Sequence, residues 1–344
     1  MEPIEPAALE AALRGWHDRS AYLHLETTAG AYTAGGFGAF VRNARVRPGL
    51  GQVRGQGPFR IGLPIDGGFV YAEGVTHWEN DAQGRLLTAG YDADGRLSVV
   101  CELSASPFPA TAASDRRTPR ASTLPRVAAP TEERAVLAVL AHPDDETFGC
   151  AGTLALYAGA GIPVTCACAT RGEQGRNTGV PSAATRESLP LLRVVELERA
   201  CAALGVADLR LLGVWDKTAE FADPEVLADA VGAILREVEP SLVITHHPRW
   251  GGHPDHCAVG AATVLAVGGL AADRRPKLHA LVPGRAVQGK DLALQTVDVT
   301  PVLEAKLAAV RAHWTQSAAM LRRAAPDELA ARWGRERYLP LTEV

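Results

Sequence analysis

An α/β fold is predicted for the larger part of this chain, and three observations predict it. From Arg134 onward, short apolar runs alternate with segments of helical period, the rhythm of a parallel sheet covered by helices on both faces. Two polar clusters, HPDDE at 142–146 and WGGHPDH at 250–256, each follow directly on an apolar strand pattern. Residues 1–108 read differently: short alternating strands parted by glycine, proline and Asp-Gly turns, the pattern of a small mainly-β domain, a meander curled or closed into a barrel. At 344 residues and 47% hydrophobic, the chain can build two cores. The expected division is a β-rich accessory domain over 1–108, a linker over 109–131, and an α/β domain over 132–344.

Taken in order, residues 5–17 space alanine, leucine and charge as one amphipathic helix. AYLHLET, GAFVRNARV, PFRIGL, FVYAEGVTHW, LLTAGYD and LSVVCELS follow as strands. The stretch 109–131 loses periodicity and gathers proline, serine, alanine and arginine, hence the linker. VLAVLA, VTCACAT, LRLLGV and SLVITHH are then buried strands, interleaved with helices at 149–160, 188–204, 224–238 and 255–267. KLHALVPG and TVDVT add edge strands before a helix starting near Pro301.

Composition narrows the function. A formal charge of −4 gives no reason to expect a polyanion, so nucleic acid is not an expected partner. MEPIEPAALEAALRGWHD lacks the basic and apolar regions of a signal peptide, and no apolar run is long enough to span a bilayer. Cys101, Cys150, Cys166, Cys168, Cys201 and Cys257 form no CxxC pair and lie mostly inside apolar patterns. A reduced, cytoplasmic protein without membrane partners is expected, and a homo-oligomer.

The two clusters carry the chemistry. Both begin at the carboxyl end of a parallel strand, where open α/β sheets build their sites, so the fold can bring them to one rim. A catalytic zinc ion usually takes three protein ligands and leaves a fourth position open. His142, Asp145 and His256 make a plausible facial set, one ion per chain. Asp144 is then the spare carboxylate able to carry a proton, His253 a candidate to stabilise an oxyanion, and Asp255 a candidate to orient and charge His253. Glu173 is a weaker candidate for a sugar contact. Gly172 and Gly175 fit either a ligand-cradling loop or a tight turn. His246 and His247 read as supports rather than ligands, and His313 and Gln316 either close the site or pack a helix.

AHPDDE (141–146), TRGEQG (170–175), RVVELERACAALG (193–205), GHPDH (252–256) and KLAAVRAHWTQS (306–317) together resemble the zinc-dependent LmbE/PIG-L deacetylases, in the family's order. The resemblance implies a Rossmann-like open sheet and an N-deacetylase activity. It places metal ligands on His142, Asp145 and His256, the base on Asp144 and the oxyanion-stabilising histidine on His253. It adds Arg193 and Asp216 as substrate-hydroxyl contacts. One departure stands out: where some relatives carry a carbonyl-polarising tyrosine, two residues before His253, this chain has Gly251.

VRNARVRPGLGQVRGQGPFRIGL (41–63), FVYAEGVTHWEND (69–81) and LLTAGYDADGRLSVV (86–100) resemble a small uncharacterised family typically encoded beside deacetylases of bacillithiol synthesis, a pairing that points to one pathway. The expected substrate is therefore a small amino-sugar conjugate, N-acetylglucosaminyl malate, hydrolysed to glucosaminyl malate and acetate, with Arg193 meeting the malate carboxylates or the sugar hydroxyls. The alternatives are another N-acetylglucosamine derivative or a bacillithiol conjugate, and, in a different class, a binding or regulatory protein on a degenerate enzyme scaffold. The amino-terminal domain shows no catalytic constellation, and a scaffold or oligomerisation role is expected for it.

Overall fold

A computed structural model describes residues 1–28, 38–109, 114–179, 181–283, 292–322 and 333–342. Its contacts divide the chain into two compact units, one formed by Met1–Ala110 with Gly175–Leu189, the other by Thr111–Gln174 with Pro190–Val344.

The first unit opens with β1 (Glu2–Pro3) and α1 (Pro6–Arg14), whose amino end is capped by Glu5. Strands β2 (Ala21–Thr28), β3 (Gly38–Val46), β4 (Gln52–Arg54), β5 (Phe59–Ile65), β6 (Gly68–Val75), β7 (His77–Asn80), β8 (Leu86–Tyr91) and β9 (Leu97–Ser104) follow. They make two antiparallel sheets, β1-β7-β8-β9-β2-β3 and β4-β5-β6. FVYAEGVTHW reads as one strand but is divided between them at Thr76, just after Gly74 at φ +87°. The two sheets and α1 share one core of Leu9, Leu13, Leu23, Ile61, Leu63 and Leu103. Alternation predicts the strands; the change of sheet, which lets both inner faces bury against each other, is a tertiary event.

The second unit has an eight-stranded sheet. Its elements are β10 (Asp115–Arg117), β11 (Val136–Leu140), α2 (Asp145–Gly149), α3 (Ala151–Gly159), β12 (Val164–Cys168), α4 (Leu189–Ala203), β13 (Asp208–Leu211), α5 (Pro224–Val238), β14 (Leu242–His246), α6 (Pro254–Gly268), β15 (Lys277–Leu281), β16 (Gln295–Asp298), α7 (Leu303–Ala312), α8 (Trp314–Leu321) and β17 (Arg335–Leu341). The order is β10-β13-β12-β11-β14-β15-β17-β16. The five central strands are parallel, and β10, β17 and β16 pair antiparallel at the edges. β11, β12 and β14 are buried throughout, which is why they read as mainly apolar runs rather than alternating ones. One core, on the α3 and α4 side, gathers Leu140, Leu154 and Leu197; the other, beneath α5 and α6, gathers Val139, Val231 and Val259. The unit is the expected α/β sheet with helices on both faces.

Three local features depart from the sequence reading. β10 lies inside the stretch read as linker, where Arg116 pairs with Asp208 and Glu237; residues 110–113 of that stretch fall outside the described residues. The helix expected over 149–160 is α3, and the short α2 that precedes it over Asp145–Gly149 is not expected from the sequence; Cys150 (φ −146°, ψ 12°) separates the two. β17 has no counterpart in the sequence reading. Its Glu336 receives Gly152 N, Thr153 N, Lys306 Nζ and the Tyr338 hydroxyl, a fully buried and fully satisfied carboxylate. Removing one partner of such a pair would strand a charge, so the network fixes the strand's register.

Candidate metal centre and active site

β11 ends at Leu140 and β14 at His246, in adjacent parallel positions, so both polar clusters leave the sheet on one rim. The second cluster is also a helix start. Pro254 is the first residue of α6 and His253 its N-cap, with His253 Nδ1 accepting from Asp255 N at 3.1 Å. A nitrogen that accepts carries no proton, so the His253 hydrogen is on Nε2. Burial and the neighbouring His142 and His256 push His253 down to about 4, so it is neutral at pH 7 and offers that N–H as a hydrogen-bond donor.

His142, Asp145 and His256 converge. His142 Nδ1 lies 3.2 Å from His256 Nε2 and 3.6 Å from Asp145 Oδ2, and His256 Nε2 lies 3.3 Å from Asp145 Oδ1. A tetrahedral ion with bonds of about 2.0–2.1 Å requires donors about 3.3–3.4 Å apart. Both rings are oriented from behind. His142 Nε2 faces Asp255 Oδ2 at 3.3 Å and Asp216 Oδ1 at 3.2 Å, and His256 Nδ1 is held at 2.9 Å by the Gly251 carbonyl. The donor lone pairs are thereby turned toward one another. Burial alone would keep His142 neutral, yet Asp216 and Asp145 hold it well above its ordinary value. The surroundings are built for positive charge, and a divalent cation fits them.

His246 stands nearer than a support in the core requires. Its ring stacks on His256 at 3.9 Å, its Nε2 lies 3.2 Å from Asp145 Oδ2, and Asp145, His246 and His256 form a second close group of donors. His247 does not enter: its Nδ1 accepts Arg249 N and Trp250 N and fixes the turn.

Asp144 sits at φ +123°, an uncommon conformation for a residue with a side chain. Its backbone N–H is caught by Glu146 Oε2 at 3.0 Å, and Glu146 Oε1 is bound by His313 Nε2 at 2.6 Å, both side chains fully buried. Burial opposes charge on each; each holds the other charged, with His313 raised and Glu146 lowered. His313 therefore neither lines the opening nor merely packs: it anchors the turn that presents Asp144. Burial lifts the Asp144 carboxyl to about 6, against the pull of Arg193 and with the push of Asp145.

Four sequence expectations are relocated. Arg193, expected on substrate, is 4% exposed, and its guanidinium is committed to the Pro143 and Gly172 carbonyls and to Asp144 Oδ2 at 3.1 Å. Asp216, also expected on substrate, divides its carboxylate between His142 and Gln174 N. Glu173 accepts Arg171 N and Asp216 N, and burial with the nearby Asp216 lifts it to about 7. Asp255, expected to orient His253, gives its carboxylate to His142, Lys217 N and Ala219 N, and acts on His253 as a neighbouring charge. Sequence spacing brings such residues to the rim but does not say which atoms they meet.

Two glycines gain specific reasons. Gly172 is at φ +66°, and a Cβ there would fall 1.9 Å from Arg193 Nη1, so the turn is bare because the guanidinium lies across it. At Gly251 a Cβ would lie 2.7 Å from His256 Cβ, which leaves no room for the tyrosine of some relatives.

Arg193→Gln follows from this geometry. We expect kcat to fall with KM little changed, and the acid limb of kcat/KM to move up by roughly one to two pH units, since a charge-assisted hydrogen bond is worth about 1.5–3 kcal/mol. Without the cation the Asp144 carboxyl is less readily ionised, so the carboxylate expected as the base is lost at a higher pH. A raised KM with an unmoved limb would return Arg193 to the substrate.

Residues 137–267 match the PIG-L family, described as GlcNAc-PI de-N-acetylase, and residues 3–108 match a protein family of unknown function, DUF1806. The chain is 45% identical over 193 residues to a probable N-acetyl-alpha-D-glucosaminyl L-malate deacetylase 2 of Bacillus cereus, covering 55% of this chain and 86% of that protein. A Bacillus subtilis protein of the same name is 47% identical over 190 residues, covering 54% and 85%. The uncharacterized protein YojF of Bacillus subtilis is 38% identical over 114 residues, covering 31% of this chain and 98% of YojF. With most of the length of such relatives matched, and with histidine and aspartate donors gathered where the strands end, the chain belongs to the metal-dependent PIG-L family of N-deacetylases, joined to an amino-terminal DUF1806 domain.

Proposed function

We propose that the chain is a zinc enzyme that hydrolyses the acetamide of N-acetylglucosaminyl malate, giving glucosaminyl malate and acetate, with residues 132–344 as its catalytic domain and 1–108 as an accessory one. The observation that carries this reading is the convergence of His142, Asp145 and His256 beside Asp144 and His253 on one strand rim. The names of the two Bacillus relatives support the substrate.

His142, Asp145 and His256 would hold the metal. When bound, it supplies a Lewis-acidic centre that acidifies water and polarises an amide carbonyl. Asp144, ionised above about pH 6, takes the proton from the attacking water as oxygen bonds to the carbonyl carbon. The His253 Nε2–H donates to the developing oxyanion and remains neutral. Asp144 returns its proton to the amine as the C–N bond breaks, so one carboxyl serves both directions and the turnover balances. Asp216 and Asp255 hold His142, and Arg193 with Glu146 holds Asp144.

The test is a deacetylation assay on N-acetylglucosaminyl malate, its inositol analogue and free N-acetylglucosamine, run on protein of measured zinc content. The malate conjugate is expected to give the highest kcat/KM. A preference for the inositol conjugate would overturn the substrate, and inactivity on all three with zinc bound would overturn the reaction. No described helix is long and apolar enough to cross a membrane. A cytoplasmic homo-oligomer belongs to the same proposal and rests on the sequence alone.

A further inference from the structure

With Arg193 buried against protein carbonyls, nothing in the machinery described above is left to meet an acidic aglycone. A cavity of about 600 Å³ adjoins the cluster, within the usual range for a small-ligand site. Asp145, His246 and His256 line one part of it, Phe148, Leu281 and Trp333 give it apolar walls, and Arg335 and Arg337 stand at the start of β17.

The ladder explains how those arginines reach the site. β17 runs antiparallel to β15 with Leu281 opposite Tyr338, while Leu281 is level with His246 on the other side. Residues 337 to 335 therefore continue past the carboxyl ends of the parallel strands, onto the rim that carries both polar clusters. Alternation turns Arg335 and Arg337 to the face opposite Glu336. Both are exposed, and among the described residues neither makes a hydrogen bond or ion pair. The anions nearby are taken. Glu336 is closed by Lys306, two backbone N–H groups and Tyr338, and Asp298, opposite Arg335 in the ladder, gives its carboxylate to Thr300 N and Oγ1 and feels the Arg335 charge without a direct pairing.

We infer that Arg335 and Arg337 form the subsite that selects a substrate with a dicarboxylic acid aglycone, holding its carboxylates while the acetamide lies at the His142, Asp145 and His256 end. This rests on the deacetylase reading above. A guanidinium fork matches a carboxylate, and two forks two residues apart on one strand face match a short diacid better than a neutral alcohol or an inositol. The arginines touch no reacting atom, so they act on which substrate binds and not on the chemical step.

The experiment is Arg335→Gln, Arg337→Gln and the double variant in the full metal-loaded chain, assayed on N-acetylglucosaminyl malate and on methyl N-acetylglucosaminide. The expected result is a loss in kcat/KM of roughly ten- to a hundred-fold on the malate conjugate in the double variant, carried by KM, with values on the neutral glycoside unchanged. The neutral substrate also reports folding, since a damaged protein loses both. Unchanged values on the malate conjugate, or equal losses on the two substrates, would overturn the subsite and leave the deacetylase standing. Wild-type protein that turns over neither substrate would overturn both.

Discussion

Asp144→Asn is expected to lower kcat by about a hundred- to ten-thousand-fold, the range that a positioned general base contributes, while the protein keeps its metal. Asparagine is the informative replacement because it tolerates a positive φ, so the strained turn at φ +123° and the Glu146 contact to its backbone survive. Asp145 and its histidines are untouched, so metal analysis of the variant separates loss of the base from loss of the ion. The wild type should also lose kcat/KM as the pH falls through about 6 or somewhat lower. Burial raises the Asp144 carboxyl, Arg193 opposes this, and a cation beside Asp145 would lower it further. The ionised form is the base, so activity is present above that pH and lost below it. A variant with near-wild-type turnover would take the proton-transfer role away from Asp144.

His256→Ala is expected to reduce bound metal from about one per chain to less than a tenth, with turnover falling to background. His256 is the donor shared by two close groups, one with His142 and His253 and the other with Asp145 and His246. Removing its Nε2 leaves His142 and Asp145 as two ligands where a stable site needs three. Metal content by mass spectrometry and titration with zinc check the result. Full metal retention would mean that His246, stacked on His256 and 3.2 Å from Asp145, is itself a ligand, and His246→Ala would then be the variant that empties the site.

The sequence makes the rim legible and its wiring illegible. VLAVLA is apolar throughout, and SLVITHH is apolar over Leu242, Val243 and Ile244, because β11 and β14 are buried on both faces, and the residues after such strands must emerge at their carboxyl ends, so HPDDE and HPDH belong on one rim. Arg193 shows the limit. On a helix it reads as a free cation suited to a carboxylate, yet the folded chain offers it two backbone carbonyls and Asp144 first. The His313–Glu146 pair spans 167 positions, and no local pattern joins its members. RERYLPL carries charge at Arg335, Glu336 and Arg337 and a proline at 340, poor signals for a strand. What makes it one is pairing on both sides, with β15 and β16, and a buried anchor for Glu336.

Gly251 sets a condition on substitution at this site. Its carbonyl steers His256, and the space where a side chain would begin is already filled by His256 Cβ. Introducing a tyrosine here would push aside the His256 ring before the new hydroxyl could do anything. A side chain at position 251 and the present start of α6 thus exclude one another, so any larger residue here requires α6 to shift. The same requirement would bind anyone seeking to engineer the change: shift the helix start first, then replace the glycine.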